Sequence, residues 1–134
     1  MPQNITRSVE DLVAEANKTI RTLSAEEAKA MVGREDVQFI DVRDVRELAE
    51  TGRIPGARHV PRGLMEFWID PKSPYHKPFF AEDKTFVFYC ALDWRSALCT
   101  RVAQDMGLAP VAHLQGGLKA WREAGGPLEA PKEK

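Results

Sequence analysis

Cysteine and histidine are scarce in this sequence. There are two of the first, Cys90 and Cys99, and three of the second, His59, His76 and His113. Two cysteines cannot make the disulfide framework of a small secreted domain. Without a tight Cys/His cluster a structural zinc site is not expected, and neither a metal nor an organic cofactor is implied. No apolar run approaches the roughly 18 residues of a membrane span. The stretch from Met1 to Val13 lacks the unbroken apolar segment of a secretory signal. A net charge of −1 gives no electrostatic case for nucleic acid or an anionic membrane as partner. These absences together point to a protein of the reducing cytoplasm.

What is present reads as an ordinary folded domain: 134 residues, 43% hydrophobic and 29% charged, enough for one real core. From Ser8, the spacing of Val9, Leu12, Val13, Ala16 and Ile20 predicts an amphipathic helix opened by a Ser8–Asp11 capping box. Ser24 and Glu27 form a cleaner capping box for a short helix that stops at Gly33. A strand follows over 37–42, then a two-turn helix capped by Asp44 with Glu47 at its third position and closed by Gly52. A brief strand is expected near Ala57–Val60. Leu64, Phe67 and Trp68 suggest a turn or two of helix. Three prolines between Asp70 and Pro78 then enforce a loop, long enough to suggest a function. Strands over 86–89 and 111–114 bracket a helix that ends at Gly107. Leu98, Val102 and Met106, four apart, predict its buried stripe. A last helix runs from Leu118 to Ala124. Strands alternating with helices mean an α/β fold with a largely parallel sheet.

The chain is organised around Thr85 to Gly107, a strand, a tight turn and a helix, with Cys90 where the strand ends. A thiol there faces the unpaired N–H groups and positive dipole end of a helix, which favour an anion and a reactive thiolate. The turn Ala91-Leu92-Asp93-Trp94-Arg95, leading to Ser96, is long enough to curl around the sulfur and aim its N–H groups inward as an anion cradle. Arg95 either charges the rim or braces the loop. Cys90 is thus the candidate nucleophile, and ligands are expected beyond the carboxyl ends of the strands.

Further segments fall in a characteristic order: Asp41-Val42-Arg43, Glu47, Gly52-Arg-Ile-Pro-Gly-Ala57, Cys90-x4-Arg95-Ser96, and Leu114-Gln-Gly-Gly-Leu-Lys-Ala-Trp121. In that order they resemble a single-domain rhodanese (thiosulfate sulfurtransferase-like) protein. The resemblance implies a rhodanese-like α/β fold with a central, roughly five-stranded parallel sheet flanked by helices. It divides the chain into an N-terminal helical extension (1–21), a rhodanese-like domain (22–128) and a polar tail (129–134). It also implies an activity: Cys90 takes a sulfane sulfur from a small donor such as thiosulfate or a persulfide, and passes it to a thiol or cyanide acceptor, or to an acceptor protein. Phosphatase and arsenate-reductase relatives resemble Cys-x5-Arg, one residue longer, to admit a tetrahedral oxyanion; the spacing here favours sulfur.

Asp93 departs from the family's common glycine. It tolerates a left-handed backbone, but a carboxylate turned inward would oppose an anion and weaken thiosulfate turnover. A weakened site would leave a binding or regulatory module, with a phosphatase or arsenate reductase the more distant rival. Asp41 and Arg43 are expected to make structural polar contacts at the edge of the site. Trp94 lines its mouth or caps the core. Trp68 and His76, on or beside the long loop, are candidates for a substrate cleft. Cys99 is expected to be inert, and His113, inside an apolar strand, structural.

Overall fold

The computed structural model describes residues 2–131. Its centre is a five-stranded, wholly parallel sheet, built from β1 (Arg21–Leu23), β2 (Val37–Asp41), β3 (Arg58–His59), β4 (Thr85–Tyr89) and β5 (Val111–Leu114), in the order β1-β5-β4-β2-β3. Six α-helices accompany it: α1 (Val9–Thr19), α2 (Ala25–Lys29), α3 (Val45–Thr51), α4 (Met65–Ile69), α5 (Trp94–Asp105) and α6 (Gly117–Glu123). The resemblance implied five strands while the hydrophobic pattern revealed four. β1 escapes the hydrophobic pattern because three residues carry no measurable alternation. It straddles the expected boundary at residue 21, pairing Thr22 with His113.

Strand β4 explains how the layers form. Phe86, Phe88 and then Cys90 pack to one face, with Ile40, Met65, Phe80, Cys99 and Ala103. Val87 and Tyr89 pack to the other, with Phe39, Leu114, Leu118 and Trp121. The period of two puts α5 and α4 on the first face and α6 and α2 on the second. Burying one such Phe is worth about 1.5–3 kcal/mol, so the alternation fixes the face on which Cys90 emerges.

The capping boxes of α1, α2 and α3 all form as the sequence indicates. The buried stripe of α5 does not follow expectation. Ser96, Ala97, Cys99, Thr100 and Ala103 face inward, while Met106 is exposed and Leu98 and Val102 are half-buried. Small residues let α5 lie close against the sheet on one side and take α1 on the other. There Ala97 is buried among Val13 and Ile20. At the other end of the chain Glu129 pairs antiparallel with Arg53. The tail residues 132–134 lie outside the described residues.

The sheet order positions the site. From β2 the chain moves outward to β3, and from β4 it moves the opposite way to β5. Neighbouring strands whose connections diverge leave a crevice at their carboxyl ends, where ligands bind in open parallel sheets. That crevice is edged by the turn after Asp41 and the loop that starts at Cys90.

Candidate active site

Cys90 is 1% exposed at the end of β4. The loop that follows is held from behind by α6. The carbonyl of Cys90 accepts from the Leu118 N–H at 2.8 Å and that of Ala91 from the Lys119 N–H at 3.1 Å. Turning carbonyls toward α6 leaves the N–H groups of residues 91–95 without a partner among the described residues. The Ser96 N–H donates to Cys90 Sγ at 3.4 Å, and the Ser96 hydroxyl lies 3.5 Å from the sulfur. The result is a cleft of about 350 Å³ lined by Cys90 through Arg95. Leu92 and Trp94 are exposed and line this cleft.

Gly117 is the seat of the loop. Its φ is +59°, and a Cβ there would come within 2.5 Å of the carbonyl oxygens of both Cys90 and Leu92. Only glycine satisfies both conditions. This is the physical content of the Gly116-Gly117 pair.

Arg95 braces rather than charges the rim. Its Nη1 and Nη2 donate to Glu47 Oε1 and Oε2 at 2.7 and 3.0 Å. Glu47 Oε1 also accepts the Asp44 N–H at 3.1 Å, so one carboxylate caps α3 and ties the loop to it. The hydrogen bond from Arg95 holds the Glu47 carboxyl below its ordinary range, against the opposing effect of burial. In the sequence Glu47 is legible as a cap and as one of the segments that carry the resemblance; its distant partner is not.

Asp41 and Arg43 form the structural contact expected of them. Arg43 Nε and Nη2 bind both carboxylate oxygens of Asp41, at 3.0 and 2.7 Å to their nearest partners. The remaining donors reach Gly52 O and Thr51 Oγ1 at 2.7 and 2.8 Å. The pair thereby clips the C-terminal end of α3.

Asp93 needs no left-handed backbone: its φ is −157°, and among the described residues none other than glycine has a positive φ. Its carboxylate is engaged by the turn before α6. Oδ1 accepts the Gly116 N–H at 3.2 Å and lies 3.9 Å from His113 Nδ1. His113 Nδ1 is in turn 3.2 Å from Ser96 Oγ. Burial holds the His113 pKa below its ordinary value, against the smaller raising effect of the Asp93 charge.

Trp68 and His76 do not line the Cys90 cleft. His76 Nδ1 bonds the Trp68 carbonyl at 3.0 Å, and Lys77 sits over the Trp68 ring. His76 edges a separate hollow beside Met106 and Gly107, at the far end of α5. Twelve residues of helix separate the two ends, about 18 Å at 1.5 Å per residue. The long loop thus closes the bottom of the core. Cys99, buried in α5, has its thiol pushed up to about 12 by loss of solvent, consistent with an inert residue. Among the described residues no helix is long and apolar enough to cross a membrane.

With this geometry the chain can be set beside known proteins. A Rhodopseudomonas palustris protein of unknown function, described as a possible tyrosine phosphatase, is 56% identical in structural alignment, with a TM-score of 0.93 over 96% of this chain and 99% of that one. A thiosulfate sulfurtransferase from Pseudomonas aeruginosa matches at 27% identity and a TM-score of 0.76, over 94% of this chain and 23% of that one. A sulfurtransferase of Allochromatium vinosum is 30% identical over 105 residues, spanning 78% of this chain and 90% of its own. The rhodanese-like domain model matches residues 24–124, from the cap of α2 to the end of α6. The cradle around Cys90 thus sits inside the matched span, and the chain belongs to the rhodanese-like domain family.

Proposed function

We propose that this protein is a sulfurtransferase that carries a sulfane sulfur on Cys90. The Cys90 thiolate attacks the outer sulfur of a donor; the donor's S–S bond breaks, and sulfite or a thiolate leaves with the electron pair. The loop N–H groups and Ser96 receive the charge of the resulting persulfide, as oxyanion-hole donors do for oxygen. An acceptor thiolate or cyanide then attacks the outer sulfur and regenerates Cys90. A wider hollow of about 580 Å³ shares Ala91 and Leu92 with the loop and is edged by Lys119 and Arg122, giving an acceptor a charged approach.

The observation that carries this reading is the small cradle itself. The Ser96 N–H donates to Cys90 Sγ, the N–H groups of residues 91–95 have no partner among the described residues, and Arg95, the only cation in the loop, is engaged by Glu47. The Asp93 carboxylate, turned to Gly116 and His113, supports an active site over a weakened binding module. The phosphatase reading draws on the description of the Rhodopseudomonas relative. A phosphatase loop needs its arginine on the substrate's equatorial oxygens, and the short Cys-x4-Arg loop with a tied Arg95 speaks against it.

The test is intact-mass measurement after incubation with thiosulfate or a low-molecular-weight persulfide and removal of excess donor. One added sulfur, absent from Cys90→Ser, is the expected result. No adduct from either donor, on protein whose Cys90 still alkylates, would overturn the reading in favour of a binding module. Cys90-dependent hydrolysis of an aryl phosphate would promote the phosphatase.

A further inference from the structure

The side chains behind the loop form a line that the sulfur chemistry above leaves unused. Cys90 Sγ lies 3.5 Å from Ser96 Oγ, Ser96 Oγ 3.2 Å from His113 Nδ1, and His113 Nδ1 3.9 Å from Asp93 Oδ1. His113 comes from the middle of β5 and is 1% exposed. Its neighbours across the sheet are uncharged: Thr22 on β1 and Phe88 on β4. From the loop and α5 come Ser96 and the one charge that acts on it, Asp93, whose own position is fixed by the Gly116 N–H. From the α6 side the turn residue Gly116 brings no charge.

We propose that His113, which faces the Asp93 carboxylate, takes up the proton that Cys90 releases, relayed through the Ser96 hydroxyl. The Ser96 hydroxyl, which donates to the Asp93 carbonyl at 3.1 Å, turns to His113 Nδ1, and the thiol proton moves to Ser96 Oγ as the Ser96 proton moves to His113 Nδ1. The Cys90 S–H bond and the Ser96 O–H bond break, and a new O–H and a new N–H bond form. Nothing is oxidised or reduced. The products are a thiolate at the cradle and an imidazolium facing the Asp93 carboxylate.

The line also explains the tolerated departure at position 93. A carboxylate close to an anion site is adverse alone, but here it faces a buried imidazole that becomes cationic when the sulfur becomes anionic. The pair Asp93 and His113 adds no net charge to the site and moves one proton out of it. His113 acts through Ser96 and touches no substrate, so it is a positioning residue for the thiolate and not a catalytic residue in the direct sense. This inference rests on Cys90 being the reacting thiol but not on sulfur being what it carries.

The experiment is the pH profile of Cys90 alkylation by iodoacetamide, read at that residue by peptide mass, so that Cys99 does not contribute. It needs no sulfur donor, so its failure and the failure of the sulfurtransferase reading are separate events. His113→Asn keeps a polar group at the Nδ1 position but cannot hold the proton. Its Cys90 alkylation at pH 6.5 is expected to fall about tenfold, equal to a one-unit upward displacement of the profile. Asp93→Asn is expected to displace it in the same direction by less. A folded His113→Asn protein whose profile overlays the wild type would overturn the proposal and leave His113 a satisfied core histidine. Should that variant fail to fold, ring-nitrogen NMR of His113 decides. Its titration in wild type is expected to shift by about one unit in Cys90→Ser, because the two groups titrate as a pair; identical titrations would overturn the proposal.

Discussion

Asp41–Arg43 and Glu47–Arg95 are both two-pronged guanidinium–carboxylate pairs, and both touch α3, yet the first is sealed and the second is open. Side-chain exposure is 0% and 2% for Asp41 and Arg43, against 32% and 36% for Glu47 and Arg95. A buried pair contributes little net stability as a pair, but losing one partner strands a charge without water. A half-exposed pair is screened, and water replaces a lost partner cheaply. The same chemistry therefore serves two ends. Arg43 fixes the framework, while Arg95 sets the girth of the loop with little stake in whether the chain folds.

The most severe way to test that contrast is Arg43→Met. It leaves Asp41 buried and alone and is expected to cost about 3–5 kcal/mol in the urea unfolding free energy. A loss under about 1 kcal/mol would mean that the two pairs do not differ in kind. Next is the loop's other anchor. Gly117→Ala puts a Cβ against the Cys90 and Leu92 carbonyls at positive φ, with an expected cost of about 1–3 kcal/mol. It should also slow sulfur loading, because the loop must lift to make room; unchanged loading kinetics would show that the loop is not seated there.

Glu47→Gln releases Arg95 and is expected to cost about 1 kcal/mol or less. The loop amides should then exchange faster with solvent while the sheet amides stay protected. Equal acceleration everywhere would make this pair a framework element too. The smallest effect is on the acid limb. Because Glu47 is held below its unfolded value by Arg95, its contribution is complete above that unfolded value. It disappears as pH falls through the lower folded one. The wild-type advantage over Glu47→Gln should therefore be flat from neutral pH to about pH 5 and shrink below that. An advantage that grows on acidification would reverse the assigned sign.

Much of this architecture is legible in the residues because local rules carry it. Ser8, Ser24 and Asp44 cap where they should, and the Cys90 turn sits at the end of a strand whose period of two aims the sulfur. What escapes is what distance in the sequence hides. Glu47 and Arg95 are neighbours only after folding, and so are His113, Ser96 and Asp93. The stripe on α5 was misread because Leu98, Val102 and Met106 look more hydrophobic than Ser96, Ala97 and Thr100. Close approach to a sheet selects for small side chains, which hydrophobic spacing does not register. Trp68 and His76 draw attention by residue type, but neither lines the Cys90 cleft, and His76 edges a hollow at the other end of α5.

The packing of α1 carries a practical consequence. Val13 and Ile20 close over Ala97, and the next residue back, Ser96, is the one whose N–H and hydroxyl meet the sulfur. Helix α1 and Ile20 are therefore a backing for the stretch that carries Ser96 and not a handle for convenience. Trimming them to a tidy minimal domain, or pulling on them with a bulky amino-terminal fusion, would alter the reagent and not merely its packaging.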